Sequence, residues 1–197
     1  MLNFIKRYWP TALATLILLT ALTGVYAKYV MDQALTGQAS ITAKLGEITL
    51  LEHKATKQND GSYTLDANNT VQSNTYSVVL PGLDIPKDPY VQITNKSPIP
   101  AYVYLVIEND SLPSSMTYSL ESHWTLVTEN PKKVYVYSDN NGAMKVSADI
   151  TISVLQNNTV YVSQHLSDLT GNVELSFSAC MKQYVDGKSA TEIYQST

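Results

Sequence analysis

A chain with a single cysteine, Cys180, can form no internal disulfide, so its fold must rest on packing and hydrogen bonding alone. No histidine lies near that thiol in sequence, and it reads as structural rather than nucleophilic. Phenylalanine is nearly missing, 2 residues against 14 tyrosines, so most rings carry a polar end that prefers water or a partner. The basic residues are scattered singly except for Lys132-Lys133, and the formal net charge is −4. No stripe exists that could follow a phosphate backbone, which excludes nucleic acid as a partner. No apolar run approaches the ~20 residues of a membrane-spanning helix; the longest, residues 11–23, has roughly 13.

Catalytic signatures are missing as well. There is no His-Glu-x-x-His pair, no Gly-x-Ser-x-Gly elbow and no glycine-rich phosphate loop, so neither a zinc protease helix, a serine hydrolase site nor a nucleotide cradle can be read. His53, His123 and His165 are isolated, with Glu52 and Glu121 the nearest carboxylates to the first two; a zinc site would have to be assembled from distant strands. Asn59-Asp60-Gly61 and Asp139-Asn140-Asn141-Gly142 gather oxygen atoms but lack the acidic spacing of a calcium loop, and read as turns. The chain is expected to be no enzyme, with no catalytic residue, metal or cofactor.

What is present begins with an export pattern. Lys6 and Arg7 open a short basic start, the apolar run follows, and Val25-Tyr26-Ala27 offers small or tolerated residues for cleavage, as in a removed signal peptide. Cleavage is expected between Ala27 and Lys28 by a signal peptidase, giving a secreted, extracellular or cell-surface protein. The competing reading extends the helix through Tyr26 and Val30 and leaves the protein membrane-tethered. About 170 residues then remain, enough for one domain that buries roughly 70% of its unfolded surface. The expected boundaries are residues 1–27 for the signal, 28–38 for an extended N-terminal segment and 39–197 for the β domain.

Beyond the signal, apolar residues alternate with polar ones and turn residues separate the runs, which is the pattern of sheets with one buried face. Strands are expected at residues 41–50 with a bulge at Gly46, at 75–80, 90–94, 101–108, 124–128 and 134–137, at 146–154 as the longest, and at 173–181. The run 101–108 (AYVYLVIE) is apolar at every position but the last, as in a strand covered on both faces. Pro81-Gly82 reads as a turn. Short helices are expected at 165–169 and at 189–194, where Ser189 can cap and Glu192 stands three residues on. The expected fold is all-β, a jelly roll or sandwich of about 8–10 antiparallel strands. Trp124 with Tyr102 and Tyr104 forms a candidate stacking surface for a sugar.

Four segments together resemble the secreted TasA and camelysin-like proteins of Gram-positive bacteria, exported with a SipW-type signal peptidase. They are ALTGVYAKYVMDQALTGQASITAKLGEITL, then Leu80-Pro81-Gly82 with YVQITNKS, then Leu169-Thr170-Gly171 with VELSFSACMKQ, and Ser189-Ala190-Thr191-Glu192. Cys180-Met181-Lys182-Gln183 stands where the family usually has Tyr-Ala-Ile-Gln. The resemblance implies a biofilm-matrix or cell-surface protein that polymerises with itself, each subunit lending its N-terminal segment as a strand to the next, with other matrix components as further partners. The residues suit that role. Tyr29, Met31, Gln33 and Leu35 share one face of an extended segment, Asp32 and Thr36 lie opposite, and Gly37 supplies a hinge; alternate side chains can then fill a groove while the backbone completes a sheet. An adhesin or carbohydrate-binding sandwich is the alternative, and a camelysin-like metallopeptidase the third reading.

Overall fold

The structure is a computed structural model that describes residues 45–166 and 173–196, all of them within one compact unit, Lys44–Thr197. Strands take up 49% and helix 6%, so the all-β expectation holds. In chain order the strands are β1 (Glu47–Lys57), β2 (Tyr63–Val71), β3 (Ile85–Pro86), β4 (Tyr90–Thr94), β5 (Ala101–Asp110), β6 (Met116–Thr117), β7 (Trp124–Thr128), β8 (Val134–Asp139), β9 (Gly142–Ala143), β10 (Ile150–Ser153), β11 (Thr159–Val162) and β12 (Leu175–Gln183). A helix, α1 (Ala190–Gln195), follows. Three of the strands are two-residue pairs, and the nine longer ones build the body.

Two antiparallel sheets face each other. One has the order β10-β4-β1-β2 and the other β12-β5-β8-β7, with β9 beside β8; a small third sheet, β3-β11-β6, closes one end. The core between them holds Val91 and Ile93 of β4, Val103 and Leu105 of β5, Trp124, Ile152 and Val154. Strand β5 serves two cores at once: Val103 and Leu105 point inward, while Tyr102, Tyr104 and Val106 pack with Val134, Val136 and the α1 residues Ala190 and Ile193 on the outer face. Successive side chains leave opposite faces of a strand, so a strand covered on both sides must be apolar throughout. All seven residues from Ala101 to Ile107 are buried, as the unbroken run predicts.

Helix α1 forms where its cap is encoded. The Ser189 hydroxyl accepts the Glu192 N–H and the Glu192 side chain accepts the Ser189 N–H, a complete capping box, which satisfies two otherwise orphaned donors. The Pro81-Gly82 turn also forms, with the Leu83 N–H on the Leu80 carbonyl at 3.1 Å and Gly82 at φ +72°. Asn95, Asn157 and Asn158 sit at positive φ, a turn conformation that asparagine tolerates.

Several expectations are corrected. Residues 75–80 form no strand; the segment stands outside every ladder and bends at Ser77. The alternation at 146–154 is not one strand and not the longest, which is β1 with 11 residues. Val146 bridges Ala101 in one sheet, whereas Ile150 pairs with Ile93 in the other; between them Ala148 is exposed, so the chain crosses between layers. Gly46 is no bulge within a ladder. It precedes β1 at φ +128°, and a Cβ there would lie 3.0 Å from the Lys96 Cα, so close backbone approach demands glycine. The register shift of β1 lies instead between His53 and Lys54, opposite β2, a strand that the sequence reading missed. Of the helix expected at 165–169, residues 164–165 form a turn and the rest lie outside the described residues.

Candidate functional site

Strand β12 stands at one edge of its sheet, as β7 does at the other. It pairs with β5 from Leu175↔Asp110 to Gln183↔Ala101, with a shift between Ser176 and Phe177, and no described strand pairs with its other side. Leu175, Phe177, Ala179 and Met181 pack on the inter-sheet core, and Cys180 on the outer one. Every residue from Leu175 to Lys182 is half-buried. An open edge presents a row of unpaired N–H and C=O groups, which proteins usually guard with charges or proline. From Leu175 to Met181 (LSFSACM) there is neither.

Beside the first residues of β12 runs a groove of about 700 Å³. Ile85, Met116, Val160, Leu112, Val79 and Tyr76 provide its apolar surface, and Ser73, Asn74, Lys87 and Glu174 its polar part. A smaller recess of about 60 Å³ continues it between Leu50, Glu52, Lys87 and the residues Leu175, Ser176 and Phe177. Residues 73–77 and Val79 form one wall, and residues 173–176 line the groove as well.

A polar cluster holds the first wall. Strand β4 pairs with β1 only as far as Leu51, and beyond that point side chains take the place of a strand. The His53 N–H donates to Asp88 Oδ1 at 3.0 Å, the Ala55 N–H donates to Asn74 Oδ1 at 2.7 Å, and Asn74 Nδ2 donates to the His53 carbonyl at 2.7 Å. Glu52, 2% exposed, accepts Lys87 Nζ at 2.9 Å on one oxygen and the Asn74 N–H on the other. His53 Nδ1 faces Asp88 Oδ2 at 2.5 Å. Tyr76 donates its hydroxyl to the Pro86 carbonyl at 2.7 Å, and burial, with Glu52 and Asp88 nearby, pushes its phenol above the ordinary range. Each ion here has a counter-ion or backbone partner, as buried charges require.

Among the described residues no group of three or more His, Cys, Asp or Glu side chains is placed to hold a metal ion. His123 spends Nε2 on the Ser153 carbonyl at 2.8 Å and packs against Trp124 and Tyr137. Burial pushes the Cys180 thiol up, with Lys182 pulling the other way, so the nucleophilic thiolate is disfavoured.

The three stacking candidates are core residues, which corrects that expectation. Trp124 is 6% exposed, Tyr102 7% and Tyr104 0%. Their polar ends are met inside: Trp124 Nε1 donates to the Ser153 carbonyl at 2.8 Å and the Tyr104 hydroxyl to the Ala190 carbonyl at 2.8 Å. No ring face of the trio is offered to a sugar. The cleavage residues Ala27 and Lys28, the donor residues Tyr29, Met31, Gln33 and Leu35, and the hinge Gly37 lie outside the described residues. The β12 edge and the groove were missed in the sequence; their one signal was a strand of nine residues with no charge before Lys182. Compared with protein-family models, with curated proteins and with solved structures, the chain matches none.

Proposed function

We propose that this chain is a secreted, non-catalytic structural protein of a bacterial cell surface or biofilm matrix, which associates with itself when residues 28–38 of one subunit add as a strand to the next. The observation that supports this reading is the stretch Leu175 to Met181 of β12, uncharged and paired with no described strand on its second side, beside an apolar groove, since strand addition needs unpaired backbone for affinity and pockets for alternate side chains. The donor face Tyr29, Met31, Gln33 and Leu35 has the matching two-residue period. Export by a signal peptidase that cuts after Ala27 would free this segment only outside the cytoplasm and so confine assembly there. The resemblance to the TasA and camelysin-like proteins points the same way, with other matrix components as further partners. Burial of Trp124, Tyr102 and Tyr104 removes the surface on which the carbohydrate-binding alternative stood. No helix among the described residues is long and apolar enough to cross a membrane.

Electron microscopy of the exported protein provides the test. The wild-type chain is expected to form filaments, and a chain with Met31→Asp and Leu35→Asp is expected to remain dispersed, because charge cannot enter an apolar groove without a partner. Filaments of equal length and number from the substituted chain would overturn the proposal.

A further inference from the structure

We infer that the Asn141-Gly142 pair at the tip of the β8–β9 hairpin is a self-modifying site, where the asparagine side chain loses ammonia through a cyclic imide and ends as an aspartate or isoaspartate. The inference goes beyond the function proposed above and does not depend on it.

The turn leaves the reacting atoms free. Asp139 pairs with Gly142 and Ser138 with Ala143, so Asn140 and Asn141 alone close the hairpin. The Asp139 carboxylate accepts the Asn141 N–H at 2.8 Å, the local bond by which aspartate stabilises a turn. The Asn141 side-chain amide has no hydrogen-bond partner among the described residues, and residues 139–142 are all exposed. Gly142 stands at φ +109°, and a Cβ added to it would meet nothing within 4 Å, so neither reacting group is covered.

The chemistry follows from those atoms. The Gly142 nitrogen is the nucleophile and Asn141 Cγ the electrophile. A bond forms between them, the Cγ–Nδ2 bond breaks, and Nδ2 leaves as ammonia with the proton given up by the Gly142 N–H. Water then adds to one of the carbonyls of the imide ring and opens it, which gives aspartate or isoaspartate according to the carbonyl attacked. Nothing is oxidised or reduced, and water is the one co-reactant. Glycine favours closure because no Cβ crowds its nitrogen and its backbone reaches angles that other residues resist. Asn141 is the only asparagine of the chain that glycine follows.

The aspartate-glycine pairs are held out of the same reaction. Asp60 Oδ1 takes the Ser62 N–H at 3.0 Å and the Ser62 hydroxyl at 2.6 Å, the Gly61 N–H donates to the Gln58 carbonyl at 3.1 Å, and the Leu80 side chain crowds Gly61. Asp186 accepts the Tyr184 hydroxyl at 2.9 Å. In both, closure would have to expel oxygen from an ionised carboxylate, a far poorer electrophile than a neutral amide.

The structural effect is confined to β9. An isoaspartate routes the backbone through the side-chain carbons and lengthens the loop, and loop length sets the register of a hairpin, so the pairing of Ser138 with Ala143 is lost. Strand β8 keeps its place because β7 anchors the same residue: the Ser138 N–H donates to the His123 carbonyl at 2.8 Å and Ser138 Oγ lies 2.6 Å from Thr125 Oγ1.

The test incubates the full folded chain at pH 8 in water enriched in heavy oxygen and reads each asparagine by peptide mass spectrometry. The inference predicts heavy oxygen at position 141, taken up roughly tenfold faster or more than at any other asparagine. Asn141→Gln, whose longer side chain would have to close a larger ring, should take up none at that position. In the isoaspartate fraction amide exchange should quicken at Ala143 and stay unchanged at Ser138. Uptake at position 141 no faster than at the other asparagines, or equal uptake in the Asn141→Gln chain, would overturn the modification; unchanged exchange at Ala143 would overturn its effect on β9.

Discussion

Removing both members of the buried Glu52–Lys87 pair should cost clearly less than the two single removals added together. The side chains are 3% and 11% exposed and meet at 2.9 Å, so neither charge has water to fall back on. Glu52→Gln preserves shape and the oxygen that accepts the Asn74 N–H, but leaves the Lys87 ammonium without a counter-ion. Breaking a buried pair from one side typically costs about 3–5 kcal/mol. A loss of about 3 kcal/mol is a large fraction of the roughly 5–15 kcal/mol that holds a domain of this size together. With a denaturant slope of about 2 kcal/mol per molar, the urea midpoint should fall by about 1.5 M. Lys87→Met leaves the Glu52 carboxylate with only the Asn74 N–H and should lose a similar amount. The double variant should lose about 2 kcal/mol less than the sum, since it buries no unpaired charge. Urea unfolding followed through Trp124, which is 6% exposed and so reports on the core, gives the three values. Losses that add to within about 0.5 kcal/mol would mean that the charges are uncoupled, and the account of how the groove wall is held would be wrong.

Three further outcomes follow from the same geometry. Tyr104→Phe removes the hydroxyl that reaches the Ala190 carbonyl and should cost about 1 kcal/mol, with amide exchange accelerated in α1 and unchanged in β4. Lys132 and then Ser178 hold the Glu108 carboxyl below the usual carboxylate range. A carboxyl lowered in the folded state stabilises it at pH values above the ordinary range and loses that effect as pH falls through the lowered value, so Lys132→Met should lower stability slightly at neutral pH and leave it unchanged in acid, which flattens the acid limb of a stability profile. Burial raises the Cys180 thiol, so iodoacetamide at pH 8 should label the native protein at least tenfold more slowly than the urea-unfolded one; equal rates would place the thiol in solvent.

How much of this could be read from residues alone depended on whether the cause was local. The run 101–107 announced a doubly covered strand because burial on both faces leaves no position for polar side chains. Ser189 and Glu192 announced α1 because a capping box acts within one turn. Residues 75–80 misled because alternation reports which side chains face inward, and a segment hung on Glu52 and Tyr63 outside any ladder shows it as well as a strand does. Strand β2 was overlooked because Asp66, Asn68 and Asn69 are exposed at the end of a sheet and owe their conformation to pairing with β1. Trp124 and Tyr104 looked like surface rings because their polar ends seemed to need water, whereas backbone carbonyls of Ser153 and Ala190 meet those ends in the core. The open side of β12 could not be read at all, since whether a strand lies at an edge is a property of sheet order and leaves no mark on the strand's own alternation.

The most direct measurement places a photo-activated cross-linker at Ala179 on β12 and mixes isotopically heavy and light copies of the full chain before irradiation. Strand addition between subunits predicts heavy–light products joining residues 175–183 of one copy to residues 28–38 of another. Products confined to single copies, or joined through any other segment, would contradict it.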